Sequence, residues 1–143
     1  MARGIPREVV DHFRRVPLFS LLSAKSLRAV IHAATDLEVK AGKVLVTEGD
    51  RDRDLFVITR GEAAVARRGR KLSTLGPGDF FGEFALLCGG ERSATVTAAT
   101  DMRVMVLAWR EMGSLVGSDA ALARRMLETM AKRVRQTERS LTH

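Results

Sequence analysis

The chain has 143 residues and a net charge of +7, from 24 Lys and Arg against 17 Asp and Glu. This length suits one domain with a sizeable hydrophobic core. We expect neither a membrane span nor a signal peptide, because no long apolar run is present. Cys88 is the only cysteine; this excludes a disulfide framework and favours a cytoplasmic protein, in which we expect Cys88 to be buried.

The basic excess is spread along the chain, which is more typical of a solvated surface than of a surface that follows a nucleic-acid backbone. One tight cluster surrounds Gly69 and comprises Arg67, Arg68, Arg70 and Lys71. This pattern predicts a hairpin tip, where charged side chains are ordinary. No helix-turn-helix follows the last predicted helix, so we expect no direct binding of nucleic acid.

Two helices are predicted before the first strand. Apolar residues recur at helical spacing over residues 7–16, and Pro17 ends that pattern. A second apolar stripe follows Ser23, whose hydroxyl can cap the helix. We therefore assign residues 1–36 to N-terminal helices.

The character of the sequence changes at Leu37, where short segments rich in Val, Ile, Phe and Thr begin to alternate with glycines. This punctuation predicts strands. The candidates are Leu37–Val39, Lys43–Thr47, Leu55–Arg60, Ala63–Arg67, Lys71–Leu75, Ser93–Ala98 and Arg103–Leu107. The turns between them are too short for helical crossovers, so residues 37–108 are expected to form an antiparallel sandwich or barrel.

Helical patterns return over residues 109–143. One short helix is predicted for residues 109–116, and Asp119 can cap a longer helix that runs to about Arg139. Apolar positions in the longer helix follow a heptad spacing from Ala123 to Leu141, which indicates a seam for a second helix. Leu122 and Met126 lie beside this seam and are expected to pack on the barrel.

The segment 78–96 carries the candidate chemistry. Gly82 precedes a run of good helix formers that Gly89 and Gly90 end, which predicts a helix of about one and a half turns. Its first turn would present unpaired N–H groups, including those of Phe84 and Ala85. Such groups are good partners for phosphate oxygens.

Arg92 stands at the start of the strand that follows. Side chains alternate between faces with a period of two, so Arg92 shares a face with Val96 and Ala98 and should point inward. A buried guanidinium needs an anion, which either Glu83 or a bound ligand can supply. The remaining possibility is that Arg92 turns out into water at the strand end.

The stretch Phe81-Gly82-Glu83-Phe84-Ala85-Leu86-Leu87, followed by Glu91-Arg92-Ser93-Ala94-Thr95-Val96, resembles the phosphate-binding cassette of cyclic nucleotide-binding domains. These domains occur in the catabolite activator protein, protein kinase A regulatory subunits and cyclic nucleotide-gated channels. The resemblance covers nearly the whole chain and implies a single domain, an eight-stranded antiparallel β-roll of the jelly-roll type. Helices would flank the roll, and the C-terminal one would act as a lid.

The resemblance also implies roles for individual residues. Glu83 would accept the ribose 2′-hydroxyl, and Arg92 would bind the exocyclic phosphate oxygens. Backbone amides of Phe84 and Ala85 would complete the cradle. Gly82 would allow close approach, and Ser93 would lie near the phosphate or the base. A comparison with bacterial channel domains places Arg133 where an arginine approaches the base.

The function expected from the resemblance is a regulatory sensor that binds cAMP, with cGMP possible, and moves its C-terminal helix in response. We expect no catalysis, no metal and no cofactor beyond this ligand, because His12, His32 and His143 lie outside the β region. A homodimer through the last helix or attachment to an effector is possible. The alternative is a degenerate roll that binds no nucleotide and serves as a protein-interaction module. The charged loop Asp50–Asp54 has no role in this resemblance.

Overall fold

The computed structural model describes residues 4–141; in the last helix the side chains are described as far as Arg135, apart from that of Arg133. Within this range the chain forms α-helices at α1 (Arg7–Arg14), α2 (Ala24–Ala33), α3 (Glu83–Cys88), α4 (Trp109–Ser118) and α5 (Ala120–Leu141). A 3-10 turn, Pro17–Phe19, lies between α1 and α2. The strands are β1 (Thr35–Val39), β2 (Val44–Val46), β3 (Leu55–Arg60), β4 (Ala63–Arg67), β5 (Arg70–Leu75), β6 (Phe80–Phe81), β7 (Thr95–Ala98) and β8 (Met102–Leu107).

The strands form two four-stranded antiparallel sheets, in the orders β1-β8-β3-β6 and β2-β7-β4-β5. This arrangement confirms the predicted β-roll with flanking helices. Strand β6 was not predicted, because two residues are too few to show a period, and Phe80 and Phe81 become a strand only by pairing with β3. The strand predicted from Ser93 begins at Thr95 instead.

The central strand β3 has both faces buried. Phe56 and Ile58 point between the two sheets into an apolar core shared with β7 and β8. Leu55 and Val57 point the other way, into a second core formed with the N-terminal and C-terminal helices. Since successive side chains of a strand face opposite sides, one strand joins the roll to the helices.

Polar caps fix the starts of α2 and α5. The Ser23 hydroxyl accepts the Ser26 N–H at 3.1 Å, as the sequence predicted. The carboxylate of Asp119 accepts the Leu122 N–H at 3.0 Å and the Ser26 hydroxyl at 3.0 Å. These two hydrogen bonds lower the pKa of Asp119, the bond from Leu122 contributing most, so the cap stays ionised and links α5 to α2.

Helix α5 has two apolar edges. Leu122 is fully buried and Met126 nearly so, and both belong to the core formed by the helices. On the predicted seam, Leu127 is 70% exposed and Val134 is 57% exposed. The predicted packing of the first pair on the domain is therefore observed. On the seam, Leu127 and Val134 face solvent, whereas Met130 packs against the core of the helices. No helix within residues 4–141 is long and apolar enough to cross a membrane.

Candidate functional site

A cavity of about 360 Å³ opens beside α3, within the usual range for small-molecule sites. Its walls are residues 81–85, Gly89, residues 91–94, and three valines of the second sheet, Val46, Val65 and Val96. The cavity thus brings together six of the residues singled out from the sequence. They are Gly82, Glu83, Phe84, Ala85, Arg92 and Ser93.

Gly82 is the N-cap of α3 and requires a glycine for two reasons. Its φ of 94° lies in the left-handed region, which side chains disfavour. A Cβ atom at this position would also collide with the carbonyl oxygen of Asp54 and with Nη1 of Arg92. The missing side chain therefore lets the arginine approach the beginning of α3.

The Arg92 guanidinium is buried, with 6% of the residue exposed. Its Nε donates to Asp52 Oδ1 at 3.0 Å, and Nη2 donates to Asp52 Oδ2 and, at 2.7 Å, to the Asp54 carbonyl oxygen. Arg92 is thus buried as expected, but it lies in the loop before β7, which begins at Thr95, so strand alternation does not set its direction. The partner is neither Glu83 nor bulk water, the two possibilities considered for the unliganded residue. It is a carboxylate from the charged loop.

Two further contacts hold Arg92 in place. Its guanidinium carbon lies 6.0 Å from the centroid of the Phe56 ring, which itself stacks on Phe81 at 4.7 Å. The Arg92 N–H donates to the Asp50 carbonyl oxygen at 2.7 Å. Nη1 makes none of these hydrogen bonds and lies beside Gly82. The arginine is therefore fixed on three sides and presents its remaining nitrogen next to the N-terminus of α3.

The two loop carboxyls respond differently to this arrangement. Hydrogen bonding to the Arg92 guanidinium lowers the pKa of Asp52. Burial raises the pKa of Asp54, and the neighbouring charge of Asp52 raises it further. Asp52 is therefore the counter-ion of Arg92, while Asp54 contributes through its carbonyl oxygen.

Glu83, the first residue of α3, is 5% exposed and still borders the cavity. Its Oε2 accepts the backbone N–H of Leu18 at 2.8 Å. This bond ties the 3-10 turn to the cavity wall. No sequence signal indicated it, because the two residues lie 65 positions apart. A carboxylate has about four acceptor positions, of which the Leu18 N–H takes one.

The other predicted residues differ in exposure. Phe84 is 65% exposed, whereas Ala85 is buried in the first turn of α3. Ser93 is exposed, and its carbonyl oxygen accepts Arg67 Nε at 2.9 Å. The backbone of Arg133 belongs to α5, but its side chain lies outside the described residues. Cys88 is exposed at the end of α3, so the expected burial was wrong; the helix turns Ala85 and Leu86 inward instead.

The charged loop Asp50–Asp54 is the part of the site that sequence reasoning missed. Its alternating acidic and basic residues were visible, but only the folded chain shows that Asp52 and Asp54 contact Arg92. The signal for this contact was the predicted burial of Arg92, because a buried guanidinium needs a nearby carboxylate or another anion. Among the described residues, no group of three or more His, Cys, Asp or Glu side chains is placed to hold a metal ion.

Comparison with known proteins is consistent with this geometry. A cyclic nucleotide-gated potassium channel of Rhizobium etli is 35% identical over 118 residues, covering 82% of this chain and 33% of the channel. The chain thus spans about a third of that relative, and 28% of a protein kinase regulatory subunit from Yarrowia lipolytica that is 36% identical.

Solved structures match the fold. The N-terminal domain of a transcriptional regulator from Streptomyces coelicolor superimposes with a TM-score of 0.83 and 29% identity, covering 89% of this chain and 94% of that domain. The regulatory domain of Toxoplasma gondii protein kinase A, crystallised with cAMP, gives a TM-score of 0.71 and 31% identity over 88% of this chain and 50% of its own. The sequence profile of the cyclic nucleotide-binding domain matches residues 36–119, more than half of the chain, and the chain therefore belongs to the cyclic nucleotide-binding domain family.

Proposed function

We propose that the cavity beside α3 binds a 3′,5′-cyclic nucleotide and that the domain acts as a regulatory sensor. The observation that carries this proposal is the placement of Arg92. Its buried guanidinium is fixed by the charged loop and directs Nη1 toward the glycine N-cap of α3. A cation and a helix N-terminus that converge on one cavity suit a monoanionic phosphodiester.

Different residues of the cavity bind different parts of the ligand. Arg92 binds the exocyclic phosphate oxygens, together with the backbone amides of Phe84 and Ala85. Glu83 accepts the ribose 2′-hydroxyl, because a buried carboxylate is a strong acceptor. Gly82 keeps the backbone close to the ligand, and Ser93 borders the phosphate or the base. These assignments are supported by the common cavity that all six residues line.

The preferred ligand is cAMP, with cGMP as the second candidate. The Toxoplasma regulatory domain named above was crystallised with cAMP, which supports this order. Titration calorimetry of the chain with each nucleotide tests both the function and the preference. Saturable binding of either ligand supports the proposal, and the absence of binding by both contradicts it.

We further propose that α5 carries the signal. In the structure Leu122 and Met126 pack in the core of the helices, and no α5 residue with a described side chain lines the cavity. As a lid, α5 would cover the base, with Arg133 as the residue proposed to reach it. Hydrogen exchange along α5 with and without cAMP tests this, and unchanged protection throughout the helix would contradict it.

The remaining expectations stay predictions. The two exposed seam residues, Leu127 and Val134, suit a second copy of the helix or an effector. A cytoplasmic location and the lack of catalysis belong to the proposed sensor role. No observation at the described site favours the alternative of a degenerate roll.

A further inference from the structure

A second arginine, Arg53 of the charged loop, holds the C-terminal end of α3, the end that lies farther from Arg92. We propose that Arg53 is a positioning residue that couples the C-terminal end of α3 to the start of α4, so that a change at the cavity reaches the C-terminal helices through Trp109. The signalling part of this inference rests on the proposed function. The mechanical link itself does not.

Arg53 caps the last turn of α3. Its Nε donates to the Ala85 carbonyl oxygen at 3.2 Å, and its Nη2 donates to those of Leu86 and Leu87 at 3.3 and 3.2 Å. The Ala85 carbonyl oxygen also accepts the Gly89 N–H. The last carbonyls of a helix have no partners within the helix and carry partial negative charge, which a cation stabilises. Gly89 lies against the same side chain, since a Cβ atom there would be 3.4 Å from Arg53 Nε.

The same guanidinium also meets α4. Its carbon atom lies 4.8 Å from the centroid of the Trp109 ring, and Trp109 is the first residue of α4. A planar guanidinium can stack on an indole while its edge donates hydrogen bonds, which an ammonium cannot do. One side chain therefore joins the end of α3 to the beginning of α4.

Three consecutive loop residues hold both ends of α3. Asp52 and Asp54 contact Arg92, which lies beside the N-cap Gly82. Arg53 contacts the carbonyls at the opposite end. Since α3 has only six residues, a displacement of its first turn by an anion also displaces these carbonyls. Arg53 then transmits the displacement to Trp109.

Trp109 is the only tryptophan of the chain, so its emission reports this contact without a label. The test variant is Arg53→Met, which keeps the length of the side chain and removes the charge and the fork. Arg53→Lys restores the charge alone. The matched control is Arg51→Met in the same loop, because Arg51 is exposed and only approaches Glu91 at 3.9 Å.

The first measurement needs no ligand. Two amides report the two ends of the link: Gly89, whose N–H donates to Ala85 at 2.9 Å, and Met112, whose N–H donates to Ala108 at 3.1 Å. We expect Arg53→Met to speed hydrogen exchange of both amides by about two- to fivefold. This factor, about two- to fivefold, corresponds to the loss of the free energy of one cation–π contact at an exposed site. Trp109→Leu should do the same, and the double variant should add little.

The second measurement adds cAMP and follows binding by calorimetry and Trp109 emission in parallel. The parent should bind and change its emission. Arg53→Met should bind within about threefold of the parent while losing at least half of the emission change, and Arg53→Lys should recover only part of it. A merely structural role would lower affinity and emission response together.

The outcomes separate the two proposals. If the parent shows no binding, the proposed function fails, and the exchange data alone decide whether Arg53 links the helices. If the parent binds but Arg53→Met keeps the full emission change, the coupling is wrong and the function stands. Unchanged exchange at Gly89 or Met112 also overturns the coupling, as does an equal effect of Arg51→Met.

Discussion

The two ends of α3 are each held by an arginine, but the two arginines serve different purposes. Arg92 lies at the beginning of the helix, where its charge is balanced by the Asp52 carboxylate and Nη1 lies beside Gly82. Arg53 lies at the other end, where three backbone carbonyls take its hydrogen bonds. In the proposed function Arg92 binds an anion, whereas Arg53 completes the helix.

The difference follows from the polarity of the helix. Its first turn presents N–H groups and attracts anions, so a cation placed there strengthens an anion site. Its last turn presents carbonyl oxygens, so a cation placed there is satisfied by the protein itself. Substitutions around Arg92 should therefore affect the ligand most, while those around Arg53 should affect the connection between helices.

The largest expected effect is that of Arg92→Ala on cyclic nucleotide binding. The loss should be about 2–5 kcal/mol, because a desolvated phosphate would lose its cation. This corresponds to roughly 30- to 4,000-fold in dissociation constant, measurable by calorimetry. Arg60→Ala is the control, since Arg60 ends β3 and is exposed. Parent-like binding by Arg92→Ala would show that the phosphate site is wrongly assigned.

Gly82→Ala should come next, and it can be compared with a glycine of similar φ. Gly82 has a φ of 94° and Gly42 a φ of 91°, so the left-handed backbone alone costs an alanine at either position about 1–2 kcal/mol of folding stability. Only at Gly82 would the new Cβ collide with Arg92. We expect Gly82→Ala to weaken binding at least about tenfold and Gly42→Ala to leave affinity unchanged. If the two variants bound the nucleotide with equal affinity, Gly82 would not be needed for close approach of the ligand.

Glu83→Gln should have a smaller effect on binding, about 1–2 kcal/mol, because the amide oxygen still accepts a hydrogen bond but lacks the charge. It can also keep the contact with the Leu18 N–H, so folding should be preserved. A 2′-deoxy cyclic nucleotide should show little of this loss. Glu91→Gln is the control, as Glu91 borders the same cavity and is exposed. If Glu83→Gln weakened binding of the 2′-deoxy ligand equally, Glu83 would not be the acceptor of the ribose 2′-hydroxyl.

The smallest effect concerns stability and its dependence on pH. Asp52→Asn should cost about 1 kcal/mol at neutral pH, because the Asp52 side chain is 41% exposed and solvent screens its pairing with Arg92. Arg92 lowers the pKa of Asp52, so this contribution is complete above the unfolded pKa of about 3.9. The contribution of the ion pair to stability disappears as the pH falls through the lowered pKa that Asp52 has in the folded protein.

Denaturant unfolding of the parent and Asp52→Asn between pH 7 and pH 3 measures this dependence. The difference in unfolding free energy should shrink at the acid end, whereas Asp50→Asn should resemble the parent throughout, since no hydrogen bond or ion pair of the Asp50 side chain is observed among the described residues. A difference that stayed constant with pH would argue against the ion pair as its cause.

Features that depend on neighbours along the chain could be predicted from the sequence. The alternation of Phe56 and Ile58 with Leu55 and Val57 places a strand and its faces. Ser23 and Asp119 mark helix starts through bonds to residues three positions away. Seven strands and the helices were predictable in this way, because local periodicity and backbone geometry suffice for them, whereas the cassette with Gly82 was identified by its resemblance to a known family.

The groups that complete the site could not be predicted from the sequence, because they come together only when the chain folds. Asp52 reaches Arg92 across 40 positions, Leu18 reaches Glu83 across 65, and Arg53 reaches Ala85 across 32. Many carboxylates and amides of the chain are chemically able to make each contact, so residue type alone could not choose among them. The choice follows from the packing of the two sheets and the helices, which brings one loop against both ends of α3.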